Sequence, residues 1–188
     1  MKKTVKIIGA GLAGSEAAYY LAKKGYSVKL YDIKPNAYTP AHKNPNYGEL
    51  VCSNSLKSND VYGNACGLLK EEMRILGSMV ISVADECSVP AGAALAVDRD
   101  KFAQAITDKL RSFSNIEFIS ENVERVDLDD NVIIATGPLT TGELCKFIGE
   151  ITGSGFYFYD AAAPIIAGDS IDFDNAFISD RYGEVGKG

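Results

Sequence analysis

The sequence predicts an α/β protein with a Rossmann-like dinucleotide-binding domain, on three observations. A short β-branched run at residues 5–8 leads directly into the glycine motif of residues 9–14. Helix-forming residues with apolar positions spaced for one face then follow over 15–24. A second apolar run, 28–31, ends at Asp32. Strand, glycine turn, helix and strand within about 30 residues make a βαβ unit.

The glycine motif predicts a pyrophosphate site at the start of the first helix. Gly9 lets the chain turn sharply out of the strand, and Gly14 lets the helix pack close to the sheet. Gly11 lets the backbone approach a phosphate, whose charge is favoured at a helix N-terminus. The predicted cofactor-binding loop also includes the residues between the glycines, Ala10, Leu12 and Ala13.

Asp32 and a later apolar run indicate which dinucleotide binds. Asp32 lies 18 residues beyond Gly14, where a carboxylate accepts hydrogen bonds from a ribose hydroxyl and repels a 2′-phosphate. Residues 132–134 predict a buried strand that enters Ala135-Thr136-Gly137, a pattern of two-dinucleotide flavoproteins in which the chain returns beside the cofactor. Thr136 and Gly137 are therefore further candidate cofactor contacts, and an ordinary strand-to-loop turn is the alternative. Together these features favour FAD over NAD, with NADP the least favoured.

The segment between residues 33 and 64 is predicted to be a long irregular loop. It holds three prolines and six asparagines and has few periodic apolar positions. Loops of this length inside a compact domain are usually functional or disordered.

The rest of the chain predicts further helices and strands of a single α/β domain. The helices are expected over 65–77, with Leu68, Leu69, Met73 and Leu76 on one side, from the N-cap Asp98 through Leu110, and over 140–151. The strands are expected within 79–97 around a turn at 90–92, over 116–119 and over 123–126. We assign residues 1–150 to the FAD-binding domain, with 78–97 as a small β excursion. Residues 151–188, with an apolar aromatic run at 156–166, are assigned to the start of a second, inserted domain that is truncated here.

The amino-acid composition argues against metal sites and membrane-spanning segments. There is one histidine, which excludes a His-rich metal site, and no two of the four cysteines are close enough for a CxxC pair, so we expect no metal. No apolar stretch approaches the ~20 residues of a membrane helix. We expect no membrane contact and a cytoplasmic location with reduced thiols. The net charge is −6, but the first 60 residues carry +5 and the remainder −11, so the first third can face an anionic ligand. A solvated surface with chance asymmetry is the alternative.

Two further residues, Cys52 and Arg99, are candidates for the site. Cys52 lies in a polar, asparagine-rich loop and is a candidate nucleophile if its pKa is lowered, whereas an inert cysteine is the alternative. Arg99 begins a helix next to Asp98 and is expected to pair with that aspartate, with a flavin phosphate as the alternative.

Beyond these patterns, the chain resembles the TrmFO (Gid) family of folate- and FAD-dependent tRNA uracil-5-methyltransferases. The resembling stretches are GAGLAGSEAAYYLAKKG, TPAH, ELVCSNSLKS, GLLKEEMRILGS, VPAGAALAVDRDKFAQAIT, VIIATGPLT and YFYDAAAPII. They run from Gly9 to about Gly183, and ELVCSNSLKS and YDAAAPI are far more specific than the glycine motif. The GidA-type (MnmG) tRNA-modifying enzymes share the Rossmann opening but lack ELVCSNSL.

The resemblance implies a fold, a reaction and a role for one cysteine. The fold would be that of a GidA- or glutathione-reductase-like flavoprotein with part of an inserted domain. The family takes a methylene group from methylenetetrahydrofolate and makes 5-methyluridine in the tRNA T-loop, with reduced FAD as hydride source and NAD(P)H as reductant. Cys52 matches the family's N-terminal motif cysteine, for which nucleophilic or proton-transfer roles are proposed.

The resemblance also implies that this chain is an N-terminal fragment. The family is more than twice this length, and its second functional cysteine would lie just beyond Gly188, so we expect the chain alone to be inactive in methylation. Two alternatives stay open: a GidA-like flavoprotein acting on the tRNA wobble uridine, and a non-catalytic dinucleotide-binding module.

Overall fold

The structure is a computed structural model that describes residues 3–140, 142–153 and 167–176. Its strands are β1 (Thr4–Ile8), β2 (Ser27–Asp32), β3 (Ser55–Ser58), β4 (Ser88–Val89), β5 (Ala94–Val97), β6 (Ile116–Ser120) and β7 (Val132–Ile134). Its helices are α1 (Leu12–Lys23), α2 (Ala65–Ile75), α3 (Met79–Glu86), α4 (Arg99–Arg111) and α5 (Gly142–Thr152), followed by a short 3-10 turn, Gly168–Ser170.

A parallel four-stranded sheet in the order β6-β2-β1-β7 forms the centre of the fold. The valine, isoleucine and leucine side chains of β1 and β2 are buried, and Ile7 of β1 is level with Leu30 of β2 and Ile133 of β7. The small side chains of Ala18 and Ala22 on α1 belong to the same core. The sheet confirms the predicted α/β, Rossmann-like fold. It also places the ends of β1, β2 and β7 side by side at one edge, because parallel strands end together.

A second, antiparallel sheet in the order β3-β5-β4 lies beside the first. Three large residues of α4, Phe102, Ile106 and Leu110, are fully buried in the main core, to which both sheets contribute. A smaller apolar cluster joins Ile8 of β1 to the buried residues of α5.

Residues 79–86 correct one prediction, because they form the helix α3 where a strand was expected. The β-branched residues of this stretch favour a strand locally, but two contacts specify a helix. Ser78 caps it by accepting a hydrogen bond from the amide of Ile81. The carboxylate of Glu16, from α1, accepts from the amides of Met79 and Val80 at 3.0 and 2.8 Å. The predicted β excursion shrinks to β4 and β5, which join through the expected turn at 90–92.

Two further expectations differ from the structure, and a third holds except for one short strand. Residues 123–126 form no strand; Val123 and Val126 pack instead against the smaller apolar cluster. The strand β7 is not buried on both sides, since it lies at the edge of the described sheet and Ile133 is 36% exposed. The segment 33–64 is irregular as predicted except for β3.

The domain boundary is not tested by the structure. The apolar run at 156–166 lies outside the described residues, so the assignment of 151–188 to a second domain stays a prediction. None of the helices in the described ranges has both the length and the apolar composition to cross a lipid bilayer.

Candidate functional site

Two of the three motif glycines are required by packing within the protein. Gly9 has a φ of +97°, and a Cβ there would lie 2.7 Å from the carbonyl oxygen of Ala135. A Cβ on Gly14 would lie 1.8 Å from the carbonyl oxygen of Gly9, so only glycine lets α1 approach the turn this closely.

Gly11 is different, because no protein atom explains it. A Cβ built on Gly11 meets nothing within 4 Å, and its φ of −70° is open to any residue. Gly11 is the N-cap of α1, where no side chain caps the helix and the first turn carries no acidic residue. The helix start therefore offers amide donors and its positive dipole end to open space. This arrangement fits a phosphate group brought close to the backbone.

Ala10 joins the glycine motif to the neighbouring strand and to the long loop. Its amide donates to the Oδ2 atom of Asp32 at 2.7 Å. Its carbonyl oxygen accepts from the amide of Gly48 at 2.9 Å and from the Oγ atom of Ser15 at 3.1 Å. The other carboxylate oxygen of Asp32 accepts from the amide of Lys34 at 2.9 Å. Asp32 thus lies at the end of β2 against the glycine motif, and each of its oxygens retains a free acceptor direction for a ribose hydroxyl.

The loop after β7 comes to the same place. The amide of Ala135 donates to the carbonyl oxygen of Ile8 at 2.7 Å, which extends the β1–β7 pairing up to the glycine turn. Thr136 and Thr140 share a hydrogen bond of 2.6 Å between their hydroxyls. Gly137 has a φ of +76° and open space around it. The structure therefore brings the glycine motif, Asp32 and residues 135–137 together at the carboxyl ends of three adjacent strands, the position at which open α/β sheets bind ligands.

A buried ion pair organises the first half of the long loop. The Nζ atom of Lys34 lies 2.7 Å from the Oε2 atom of Glu49, and the two side chains are only 7% and 12% exposed. Lys34 also donates to the carbonyl oxygen of Asn46, and Glu49 accepts from the amides of Lys43 and Asn44. Burial alone would raise the pKa of Glu49, but the hydrogen bond from Lys34 and those from the two amides outweigh it, so the pKa is lowered.

Cys52 lies on an exposed turn whose two sides are anchored to the β5–α4 junction. The carbonyl oxygen of Leu50 accepts a hydrogen bond of 3.4 Å from Arg99, and that of Asn54 accepts one of 2.9 Å from the amide of Val97. The thiol of Cys52 between them is exposed. An open depression of about 470 Å³ adjoins this turn, lined by residues that include Lys43, Glu49, Leu50, Val51 and Arg99.

The structure corrects the expected pairing of Arg99. Asp98 does cap α4, accepting from the amide of Lys101, but its ion pair is also with Lys101, at 3.3 Å. The carboxylate of an N-cap aspartate lies against the first turn of its helix. The side chain three residues later, here Lys101, can therefore reach it. The recorded hydrogen bond of Arg99 is to Leu50, so the guanidinium faces the Cys52 turn.

Sequence reasoning missed Lys34, Glu49 and Gly48. A lysine and a glutamate 15 positions apart in an irregular segment carry no periodic signal, so only the folded loop reveals their contact. Gly48 did have a signal, because a glycine in a non-repetitive loop often marks a positive φ; here it is +65°. The described ranges contain no group of three or more residues placed to hold a metal ion.

The comparison with known families rests on nearly the whole chain. The sequence model of the family described as glucose inhibited division protein A matches residues 4–187. The chain belongs to the glucose inhibited division protein A family.

The chain is similar to proteins named methylenetetrahydrofolate–tRNA-(uracil-5-)-methyltransferase TrmFO. The one from Fusobacterium nucleatum is 56% identical over 185 residues, and that from Bacillus subtilis is 53% identical over 182 residues. These matches cover 98% and 96% of this chain but only 42% and 41% of the relatives. The chain thus spans about two fifths of the length of the curated relatives it matches.

A solved structure shares the fold. GidA of Aquifex aeolicus superposes with a TM-score of 0.56 at 17% identity, over 73% of this chain and 26% of that one. At this identity the likeness supports the fold and nothing finer.

Proposed function

We propose that this chain forms the FAD-binding part of a folate-dependent tRNA uracil-5-methyltransferase. The observation that carries the proposal is the 53–56% identity, over nearly the whole chain, to proteins named for that reaction. The proposed substrates are methylenetetrahydrofolate and a T-loop uridine of tRNA, with NAD(P)H as the reductant of the flavin and the cytoplasm as the location.

The described residues fit the adenosine and pyrophosphate part of FAD. The open space at Gly11 supports a pyrophosphate against the amides of Leu12 and Ala13, and the position of Asp32 beside the glycine motif supports its proposed contact with the ribose hydroxyls. Residues 135–137 line the other side of the glycine turn. Arg99, next to the open depression at the Cys52 turn, is proposed as a cationic contact for the remainder of the cofactor.

Cys52 is proposed as the group that activates the base. Carbon 5 of uracil is a poor nucleophile until carbon 6 is attacked, and a thiolate is suited to that attack. The thiol is exposed on an anchored turn, so a base extruded from the tRNA can reach it without unfolding the loop. When bound, reduced FAD supplies the hydride that completes the methyl group.

The cofactor assignment is tested by titrating the 188-residue protein with FAD and, separately, with NAD and NADP. We expect FAD to bind with quenching of its fluorescence and to bind more tightly than either nicotinamide dinucleotide. Asp32→Asn should weaken FAD by roughly tenfold or more, since hydrogen bonds to charged groups are typically worth ~1.5–3 kcal/mol. Failure to bind FAD at any tested concentration would refute the assignment.

The reaction is tested in a chimera, defined as the full-length Bacillus subtilis relative with its matched region replaced by this chain. The wild-type chimera should methylate T-loop uridine from methylenetetrahydrofolate. Cys52→Ala should lower methyl transfer by orders of magnitude while FAD content is retained. Cys87→Ala, a half-buried cysteine in the core, should affect stability more than turnover. Wild-type turnover of the Cys52→Ala chimera would exclude the nucleophile role.

A second candidate reaction is modification of the tRNA wobble uridine by a GidA-like flavoprotein, which the match of residues 4–187 to the glucose inhibited division protein A family leaves open. Mass spectrometry of nucleosides from tRNA treated with the chimera separates the two. A modified wobble base with an unmethylated T-loop would support this second candidate.

A further inference from the structure

The helix α2 is attached to the protein through its polar side. Lys70 is 5% exposed and donates to the carbonyl oxygens of Leu56 and Cys66, and burial lowers its pKa. Arg74 forms a two-point ion pair with Asp85 of α3 at 2.8 Å. Gly67 lies so close to the backbone of Asp60 that a Cβ would be 1.9 Å from its carbonyl oxygen.

The opposite side of α2 is apolar and faces solvent. We call it the outer face of α2; it consists of Leu68, Leu69, Glu72, Ile75 and the C-cap residue Leu76. Their spacing places them on adjacent positions of one side of the helix. The four apolar members are 49%, 57%, 78% and 81% exposed in chain order. A helix at a protein surface normally buries its apolar side, so this one is reversed relative to the described residues. Clustered exposed apolar side chains of this kind mark an interaction surface.

The charge on this surface argues against two kinds of partner. Glu72 is exposed at the middle of the outer face, and its carboxylate has no recorded partner within the described ranges. A nucleic acid would be repelled by it and would find no basic group on the face. A second copy packed antiparallel on the same helix would place the two Glu72 carboxylates close together, which is unfavourable.

We propose that the outer face of α2 docks onto the polypeptide that the relatives carry outside the matched region. In them that region makes up more than half of the length. It is protein, and in each of these relatives it is joined to the matched segment in one polypeptide. The docked surface should be apolar with a basic side chain opposite Glu72. The inference depends on family membership and not on the proposed reaction.

The test compares the melting temperature of the double variant Leu68→Ser/Leu76→Ser in two settings, the 188-residue protein and the chimera. In the 188-residue protein both leucines are exposed, so Tm should stay within about 2 °C of wild type. In the chimera they would be buried, so Tm should fall by about 5 °C or more. Leu128→Ser is the matched control, since that leucine is 68% exposed and lies off α2; it should leave both melting temperatures unchanged.

Each other outcome contradicts the proposal. A fall of Tm in the 188-residue protein would show that another part of this chain covers the face. Self-association of that protein in analytical ultracentrifugation, abolished by the double variant, would identify a second copy. An unchanged Tm in the chimera, or an equal fall for Leu128→Ser, would show that the face is not the docking surface. All of these readouts are independent of tRNA methylation, so an inactive but cooperatively folded chimera would sink only the proposed function.

Discussion

At the scale of single residues, the three motif glycines differ in whether the fold itself requires them. Gly9 and Gly14 are glycine because neighbouring backbone atoms leave no space for a side chain. Gly11 is surrounded by open space and its backbone conformation is ordinary, so folding places no demand on it. The absence of a side chain at Gly11 matters only if a ligand occupies that space.

We therefore expect different effects from alanine at Gly14 and at Gly11, because a Cβ meets backbone atoms at the first and open space at the second. Gly14→Ala should destabilise the protein by about 1–3 kcal/mol, the usual cost of overpacking. Gly11→Ala should leave the free energy of unfolding nearly unchanged and weaken FAD binding by roughly tenfold or more, about 1.4 kcal/mol. Urea denaturation and FAD titration measure the two effects. Full FAD affinity in Gly11→Ala would contradict the assignment of this space to the pyrophosphate.

The buried pair of Lys34 and Glu49 makes a prediction about stability and pH. Glu49→Gln leaves the ammonium of Lys34 buried without its carboxylate, so it should cost about 3 kcal/mol near neutral pH. The exposed pair of Arg125 and Glu150 gives the control: Glu150→Gln should cost about 0–1 kcal/mol.

The pH dependence follows from the lowered pKa of Glu49. A carboxyl whose pKa is lower in the folded than in the unfolded state stabilises the fold fully above its ordinary value of 4.5. That contribution disappears as the pH falls through the lowered folded pKa. The stability gap between wild type and Glu49→Gln should therefore be constant from about pH 6 to 8 and shrink progressively as the pH falls below 4.5. A gap that instead widens in acid would show that the pair does not act through the ionised carboxylate.

At the scale of elements, α3 exists because α1 caps it. The carboxylate of Glu16 accepts three hydrogen bonds at the start of α3, from the hydroxyl of Ser78 and from the amides of Met79 and Val80. A negative charge at this end also complements the helix dipole. A β-branched stretch that would otherwise suit a strand is thereby held as a helix.

Glu16→Ala should destabilise the protein by about 2 kcal/mol, because the three hydrogen bonds that the carboxylate accepts at the start of α3 are lost together. Hydrogen exchange should accelerate first at the amides of Met79 and Val80. Glu72→Ala, the control, removes an exposed carboxylate of α2 that makes no hydrogen bond or ion pair with the described residues. It should change stability by less than about 0.5 kcal/mol. Equal stability of Glu16→Ala and Glu72→Ala would show that the cap is not needed.

At the scale of the whole molecule, the charge is divided unevenly along the chain. The net charge is −6, although the first 60 residues carry +5. Binding to tRNA depends on cationic contacts with phosphates, and an acidic body opposes it.

We expect the 188-residue protein to bind tRNA at least about tenfold more weakly than the full-length Bacillus subtilis relative at the same salt concentration. The remaining affinity should fall steeply between about 50 and 200 mM salt, as contacts from the basic first third are screened. Filter binding at both salt concentrations measures this. Affinity equal to that of the relative would mean that this segment carries the RNA surface.

The sequence alone determined the central βαβ unit and the residues at the edge of the sheet where the candidate ligand site lies. The strand, the glycine motif, α1 and Asp32 follow one another within 32 residues, and each depends on local properties such as apolar periodicity or the lack of a side chain. The N-cap of α4 at Asp98 was predictable for the same reason, since a cap and its helix are adjacent in the chain. The return of the chain at 135–137 beside Gly9 was also indicated, because its glycine pattern is local.

Only the tertiary structure decided what depends on distant partners. The helical state of α3 rests on a carboxylate 63 positions away from Met79 in the chain, against the local strand preference. The pairing of Lys34 with Glu49 forms across an irregular loop without any repeat to reveal it. The exposure of the apolar side of α2 could not be predicted from the sequence either. The apolar spacing predicts an amphipathic helix, but the contacts of Lys70 with Leu56 and of Arg74 with Asp85 determine that its apolar side faces solvent. Hydrophobic periodicity specifies that a helix has two sides, whereas the packing of the whole chain selects the side that faces the core.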